Sequence, residues 1–534
     1  MRAPFSRTLF DLLREISERA GDQFAVVSKS DHRSYSQLLD SASRVARLLS
    51  DFGVRRGDRV GLLSPNRIEW LEICFGAHAI GAVLVPFSTW SKEAELRHLL
   101  ADSGVKVLFA VDKFLGHDFV SALRHIQERT DVTPITLPER IVYLSEAGVE
   151  GEANYGELMM SAAPNDLGPP GETASALDDA FILYSSGSSA RPKAVRLRHH
   201  AVVENAFNIG ERQGLRPSDK VFLSAPLFWI YGAGNALPAT FTHEATLVIQ
   251  DHFEPAGALD LIEQYKCTSI YTLPANTNAL TSHPTFRRER TRSLRTGMTI
   301  GSPKDIATAA NVLGVAGICN IYGSTETGGN CCVTQFNAPL QDRINNQGRP
   351  LPGVIIRIVD PETGASLPLG GVGEVEVYGF NTPGYFGSSA QHNKALFTHD
   401  KYVRTGDTGY LDRDGFFHFV SRNSEIIKRN GINISPLEVE EVLAEHPAIA
   451  QAFVVAVPDD THGELIVAFI VNGRGETLTA DSLNAYCRDR LSSYKIPDHF
   501  LFDLAIPVTE TGKTHRREMK ERALQFINSA RVSP

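Results

Sequence analysis

Short apolar segments that recur between helical ones constrain this chain more than any other feature. Asp58-Arg59-Val60-Gly61-Leu62-Leu63 reads as a strand leaving a Gly57-Asp58 turn, a helix is expected over 66–81, and strands are expected over 82–85 and 105–111. The same rhythm returns at Val221–Ala225, Thr246–Ile249, Ser269–Thr272 and Ile318–Ile321, each beside a helical segment. Strands of this kind pair parallel, because each return passes through a helix that covers the sheet, so two layered βαβ bodies are expected before about residue 340. Upstream of them, residues 8–51 read as two helices around a short hairpin.

From Gly348 the texture changes. Val354–Asp360 and Gly373–Val377 alternate in polarity and are bounded by turn residues, the pattern of a small, distorted antiparallel barrel or sheet. A last α+β unit begins near residue 425, with helices expected over 436–445 and 479–491 and strands over 451–457 and 465–471. A chain of 534 residues exceeds what one core serves, since domains run about 100–200 residues. The fold class is therefore α/β: a large N-terminal part of two βαβ layers plus a small β-module, then a small α+β C-terminal domain.

Charge and cysteine content exclude several functions. The net charge is −9, and the cluster Arg287, Arg288, Arg290 and Arg292 is interrupted, so no nucleic-acid partner is expected. The six cysteines form no Cys-x-x-Cys pair and no zinc spacing, which suits a reducing compartment. Cys331–Cys332 are expected to be buried and inert. The N-terminus lacks a continuous apolar core, and the most apolar stretch, 73–87, is too short for about 30 Å of hydrocarbon, so no integral membrane segment and a cytoplasmic location are expected.

The segment carrying the strongest chemical signal is Phe181-Ile182-Leu183-Tyr184-Ser185-Ser186-Gly187-Ser188-Ser189-Ala190-Arg191-Pro192-Lys193. An apolar strand runs into small hydroxyl residues whose oxygens and backbone N–H groups suit phosphate, and Lys193 adds a point charge. Pro192 before the lysine excludes a Walker A loop. The segment resembles the signature loop of the adenylate-forming superfamily: acyl- and aryl-CoA ligases, peptide-synthetase adenylation domains and luciferases. The family form is Tyr-Thr-Ser-Gly-Ser/Thr-Thr-Gly-x-Pro-Lys-Gly, from which this chain departs at Ser185, Ser189, Ala190 and Ala194. The serines keep a hydroxyl. Alanine for glycine at Ala190 or Ala194 would cost about 1 kcal/mol if either position needs a positive φ, and would bear on rate.

The resemblance continues in order along the chain. Asn320-Ile321-Tyr322-Gly323-Ser324-Thr325-Glu326-Thr327 is similar to the adenine and metal segment. It implies Asn320 on the adenine amino group, Tyr322 stacked on the base, Thr325 and Glu326 at the catalytic centre, and Glu326 on Mg²⁺. Gly301-Ser302-Pro303 would wall the other side of the base. Tyr402–Asp407 resembles the ribose segment, with Asp407 accepting from the ribose hydroxyls and Arg422 beside it. Pro507–Lys513 resembles the catalytic-lysine motif, with Lys513 bridging two anions as they meet.

The resemblance further implies an N-terminal ATP- and acyl-binding domain over 1–423 and a mobile C-terminal domain over 424–534, hinged at Ser424. Gly431, in Arg429–Asn433, would line a coenzyme A tunnel, and Lys428 and Arg429 would face either CoA phosphates or solvent. Trp229, Asn276, Gly301 and Gly328 fall on acyl-pocket segments. The absence of a charged residue there points to a fatty, alicyclic or aryl acid. The implied reaction uses ATP and Mg²⁺ to make an acyl-adenylate from a small carboxylic acid and passes the acyl group to CoA. The alternatives are an amine or carrier-protein acceptor, a luciferase-like oxygenase, and a catalytically weakened nucleotide-binding homologue.

Overall fold

The computed structural model describes residues 3–128, 136–164, 174–185, 192–422, 426–473, 478–502 and 516–532. They fall into two compact units: one of Met1–Thr89, Leu99–Tyr184 and Ala194–Ser421, the other of Trp90–His98, Ser185–Lys193 and Arg422–Pro534.

The larger unit contains both expected parallel layers. In a seven-stranded sheet, Arg59–Leu63 lies between Val83–Phe87 and Val107–Ala110, all parallel, and Asp179–Ser185 joins beyond Val83–Phe87. In a nine-stranded sheet, Thr246–Ile249, Lys220–Leu223, Ser269–Tyr271, Thr296–Thr299 and Gly317–Ser324 run parallel in that order. The hairpin at the N-terminus, Phe24–Val27 with His32–Ser34, adds to this second sheet at the Thr246–Ile249 side. Phe222, Ile270 and Ile318 pack under Leu259 and Ile262 of the helix Pro255–Tyr265 and under Ile306 and Ala309 of the helix Pro303–Asn311.

The helix Ile68–Ala79 is apolar nearly all round and buries Trp70 and Phe75 fully, as a helix between layers must. A Cβ on its Gly76 would stand 2.5 Å from Val45 Cβ of the helix Tyr35–Asp51, so the glycine sets how closely those helices approach.

This helix also carries a pH-sensitive core pair. His78 donates from Nε2 to the Ala180 carbonyl at 2.9 Å, and its ring stands edge-on to His199 at 4.8 Å. Burial lowers both, His78 to about 4. A histidine held neutral in the fold and free to protonate near 6.5 when unfolded binds more protons in the unfolded state. Its contribution is therefore present above about pH 6.5 and lost as pH falls toward 4. For His78 alone the loss is about 2 kcal/mol by pH 5. Thermal melts are expected to show a falling midpoint between about pH 7 and 5; an unchanged midpoint would contradict the assignment.

The β-module after residue 348 is present as four strands in linear order, Ile355–Val359, Gly373–Tyr378, Val403–Leu411 and Phe417–Arg422.

In the smaller unit, Ile449–Asp459 and Gly463–Asn472 pair antiparallel, with the short strands Ile427–Arg429 and Ile432–Ile434 on one side and His499–Phe502 parallel on Gly463–Asn472. Successive strand residues point to opposite faces, and both are covered. Val454 and Ile466 meet Val439, Leu443, Leu483 and Cys487. Val455, Val467 and Phe469 meet Met519, Ala523 and Ile527 of a terminal helix, Arg516–Val532, that the sequence reading lacks.

Candidate functional site

Parallel strands deliver their following loops to one edge of a sheet, and in open α/β sheets ligands sit at those carboxyl ends. Trp229 follows Lys220–Leu223, Asn276 follows Ser269–Tyr271, and Gly301-Ser302-Pro303 follows Thr296–Thr299. Thr325, Glu326 and Gly328 follow Gly317–Ser324, so one sheet edge gathers residues scattered over a hundred positions of sequence.

A tight reversal positions Glu326. Gly317–Ser324 turns back into Gly329–Val333, with Ser324 paired to Gly329. The Thr327 hydroxyl accepts from Ser324 N–H at 2.9 Å, and Gly328 donates to the Thr325 carbonyl at 3.2 Å. Gly328 has φ +75°, and a Cβ there would stand 2.2 Å from the Phe380 carbonyl oxygen. Gly323 is tighter still, since its Cβ would lie 1.9 Å from the Gly329 oxygen. Gly323→Ala is therefore expected to destabilise the protein by about 1–3 kcal/mol through backbone displacement, with a lower melting temperature. An unchanged melting temperature would show that the turn tolerates the methyl.

The Glu326 carboxylate accepts from the Tyr385 hydroxyl at 3.1 Å, and the Glu326 carbonyl accepts from Thr382 N–H at 2.9 Å. Burial and the carboxylate push the Tyr385 phenol well above its usual value, so it stays a donor. Tyr385 also bridges Val195 of the strand Lys193–Arg198, which emerges from the serine-rich loop. The loop's outgoing strand and the Glu326 carboxylate thus share one partner. Sequence reasoning missed Tyr385, because nothing around Gly384-Tyr385 sets it apart until the fold brings it to Glu326.

Of the loop itself, Ser186, Gly187, Ser188, Ser189 and Ala190 lie outside the described residues. Ser185 ends its strand with a buried Oγ that has no partner among the described residues, a group suited to an incoming oxygen. Ala194 is buried within the strand Lys193–Arg198 and is not among the residues with positive φ. A glycine is not required there, so the expected strain is absent at Ala194.

Tyr322 and Asp407, 85 positions apart, are joined: the Tyr322 hydroxyl donates to Asp407 Oδ2 at 2.8 Å. Burial and that carboxylate hold the phenol protonated. A bulge at Gly406, φ +72°, shifts the ladder between Glu374 and Glu376 and turns Asp407 inward. The Tyr322 ring packs on Phe417 at 4.4 Å. Asn320 is buried, with Nδ2 donating to the Asn346 carbonyl and Oδ1 accepting from Ile321 N–H, both at 2.9 Å. Ser302 caps the helix Pro303–Asn311 through a capping box with Asp305, leaving Gly301, Ser302 and Pro303 exposed. Asn276 donates to the Ser224 hydroxyl at 2.9 Å, and Trp229 stands edge-on to Phe228.

In the smaller unit, Asn430 (φ +52°) and Gly431 (φ +84°) form the two-residue turn between Ile427–Arg429 and Ile432–Ile434, where both central positions need positive φ. Arg429 donates to the Tyr494 and Ile496 carbonyls and to Asp498, so it holds the 494–498 loop and is not a solvated arm awaiting phosphates. Arg422 lies at the end of a strand, with its side chain outside the described residues, as are Ser424 and Lys513 entirely. All six cysteines are buried and unpaired, Cys331 and Cys332 among them. No described helix is long and apolar enough to cross a membrane.

Residues 13–386 match the AMP-binding enzyme family, and residues 438–513 match the AMP-binding enzyme C-terminal domain. A feruloyl-CoA synthase from Amycolatopsis sp is 31% identical over 92% of this chain and 94% of its own length. The mitochondrial medium-chain acyl-CoA ligase ACSF2 of Mus musculus is 28% identical over 97% and 88%. The structure of the amide bond synthetase McbA from Marinactinospora thermotolerans superposes with TM-score 0.83 at 25% identity, covering 96% of this chain and 99% of that one.

Proposed function

Since the chain belongs to the AMP-binding enzyme family, we propose that it is an AMP-forming acyl-CoA ligase acting on a small hydrophobic carboxylic acid. The observation that carries this reading is the convergence of Glu326, Tyr385 and the strand leaving the serine-rich loop, with Tyr322 and Asp407 held together.

In the first half-reaction a carboxylate oxygen attacks the α-phosphorus of ATP and the bond to pyrophosphate breaks. Ser185, Ser186, Gly187, Ser188, Ser189 and Lys193 would hold the phosphates, and Lys513 would offset the repulsion between the two anions. Asp407 would accept from the ribose hydroxyls and Arg422 would act as the second ribose-side residue, while Asn320, Tyr322 and Gly301-Ser302-Pro303 would border the base. Tyr322 fixes the orientation of Asp407 by its hydrogen bond. Glu326 contributes one carboxylate, with Thr325 beside it, and this suits Mg²⁺, which takes one or two carboxylates and completes its shell with phosphate oxygens and water. Bound there, Mg²⁺ would neutralise charge on the phosphates; Tyr385 holds Glu326 in place for it.

In the second half-reaction the CoA sulfur attacks the acyl carbon and AMP leaves. We place the hinge at Ser424, the domain boundary between 423 and 424, and the pantetheine path along Gly431. Trp229, Asn276, Gly301 and Gly328 border the acyl group. The relatives' names, a feruloyl-CoA synthase and a medium-chain acyl-CoA ligase, favour an aryl or medium-length acid and a CoA acceptor. A reducing compartment such as the cytoplasm suits six unpaired cysteines.

A second reading, an amine as acceptor, is favoured by the likeness to an amide bond synthetase. Acid-dependent exchange between pyrophosphate and ATP tests the shared first step. Exchange with at least one hydrophobic acid is expected, and none across fatty, alicyclic and aryl acids would overturn both readings.

A further inference from the structure

We propose that the acyl pocket ends in a polar floor, and that the acid used by this chain carries a hydroxyl, carbonyl or amide group remote from its carboxylate. The inference rests on the assignment of this site to a carboxylic acid.

Three asparagines converge behind the turn that carries Glu326. Asn205 lies in the helix His199–Gln213, Asn235 in the π-helical turn Tyr231–Ala236, and Asn330 in the strand Gly329–Val333. Their exposures are 0%, 1% and 4%, so they are removed from bulk water. Asn205 Nδ2 donates to the Gly328 carbonyl at 3.1 Å and to the Asn330 carbonyl at 2.9 Å. Those two bonds fix which way the Asn205 amide faces and leave its Oδ1 without a partner among the described residues. Asn235 Oδ1 and Asn330 Nδ2 are likewise without one. Among the described residues, the Asn205 oxygen and one atom of each of the Asn235 and Asn330 amides therefore stand unpaired around one turn.

The backbone accommodates this arrangement. A Cβ on Gly329 (φ +90°) would lie 2.2 Å from Asn235 Oδ1, so only glycine admits the Asn235 amide against the turn. The π-helical turn that carries Asn235 begins two residues after Trp229, and such turns occur at functional sites. A buried polar atom left unpaired destabilises the fold, whereas apolar residues in the same places would carry no such penalty. An enzyme for purely apolar acids gains nothing from three amides here. A substrate hydroxyl or amide N–H donating to the Asn oxygens, or a substrate oxygen accepting from Asn330, would satisfy them. A site built to pair with such a group strongly rejects the analogue that lacks it.

The test uses the full-length enzyme and acid-dependent pyrophosphate–ATP exchange with matched acids: para-hydroxycinnamic against cinnamic, and terminal-hydroxy against plain alkanoic acids of several lengths. In at least one pair the polar member is expected to have a kcat/KM at least about tenfold higher. Asn235→Leu and Asn330→Val should each reduce or reverse that preference while exchange with the apolar member persists, which also shows that the variants fold. Equal or better exchange with the apolar member of every pair in the wild type would overturn the polar floor and mark the site as one for resident water. Exchange with no acid at all would overturn the ligase assignment and the floor with it.

Discussion

Lys513→Ala is expected to slow acid-dependent pyrophosphate exchange by about 10²–10³-fold while leaving acyl transfer from a preformed acyl-adenylate to CoA near the wild-type rate. The first half-reaction brings a carboxylate against an α-phosphate, so two anions must meet before any bond forms. In the proposed role, Lys513 would offset that repulsion and stabilise charge as it moves to pyrophosphate. The second half-reaction joins a thiol to a mixed anhydride whose leaving group, AMP, is already a good one, and it has no such anionic encounter. Separate assays of the two half-reactions check the division; equal loss in both would refute it.

Lys495→Met should destabilise the protein by about 3–5 kcal/mol. Lys495 is 4% exposed and lies between Glu95 at 2.5 Å and Glu438 at 2.6 Å, and Ser492 donates to the second oxygen of Glu95 at 2.8 Å. Burial alone already raises the Glu438 carboxyl, and Lys495 is what opposes that shift. Methionine keeps the length of the stem but leaves two carboxylates facing each other out of water. The loss should show in denaturant unfolding, and hydrogen exchange should accelerate in the helix Pro436–Ala444, which carries Glu438. The double variant Lys495→Met, Glu438→Leu should recover part of it, because the facing carboxylate is gone and the remaining one, Glu95, still accepts from Ser492 and from Lys92 N–H. A single variant as stable as the wild type would mean that water reaches the site.

What was legible in the sequence divides along physical lines. Strands buried on both faces, such as Val83–Phe87 and Val107–Ala110, announce themselves as apolar runs. Thr296–Thr299 is equally buried, yet Thr-Gly-Met-Thr carries too little apolar signal to read as a central strand. The helix Arg516–Val532 escapes notice because its buried residues, Met519, Ala523 and Ile527, are few and its remainder is polar. The motifs assigned to the proposed site stand out because the proposed chemistry restricts residue types locally: a carboxylate would suit Mg²⁺, hydroxyls and a lysine would suit phosphate. Their partners were not, because the Tyr322–Asp407 and Tyr385–Glu326 bonds join positions 85 and 59 residues apart. Arg429 shows the reverse error: a basic residue beside a turn looks available for phosphates until the fold gives it three acceptors.

The central claim is activation of a hydrophobic acid followed by transfer to CoA. The purified enzyme, supplied with ATP, Mg²⁺ and such an acid, can be followed by mass spectrometry with and without CoA. Formation of AMP and the acyl-CoA thioester in equal amounts, only when CoA is present, is the predicted result. Sustained AMP formation that requires an amine and yields an amide would contradict it.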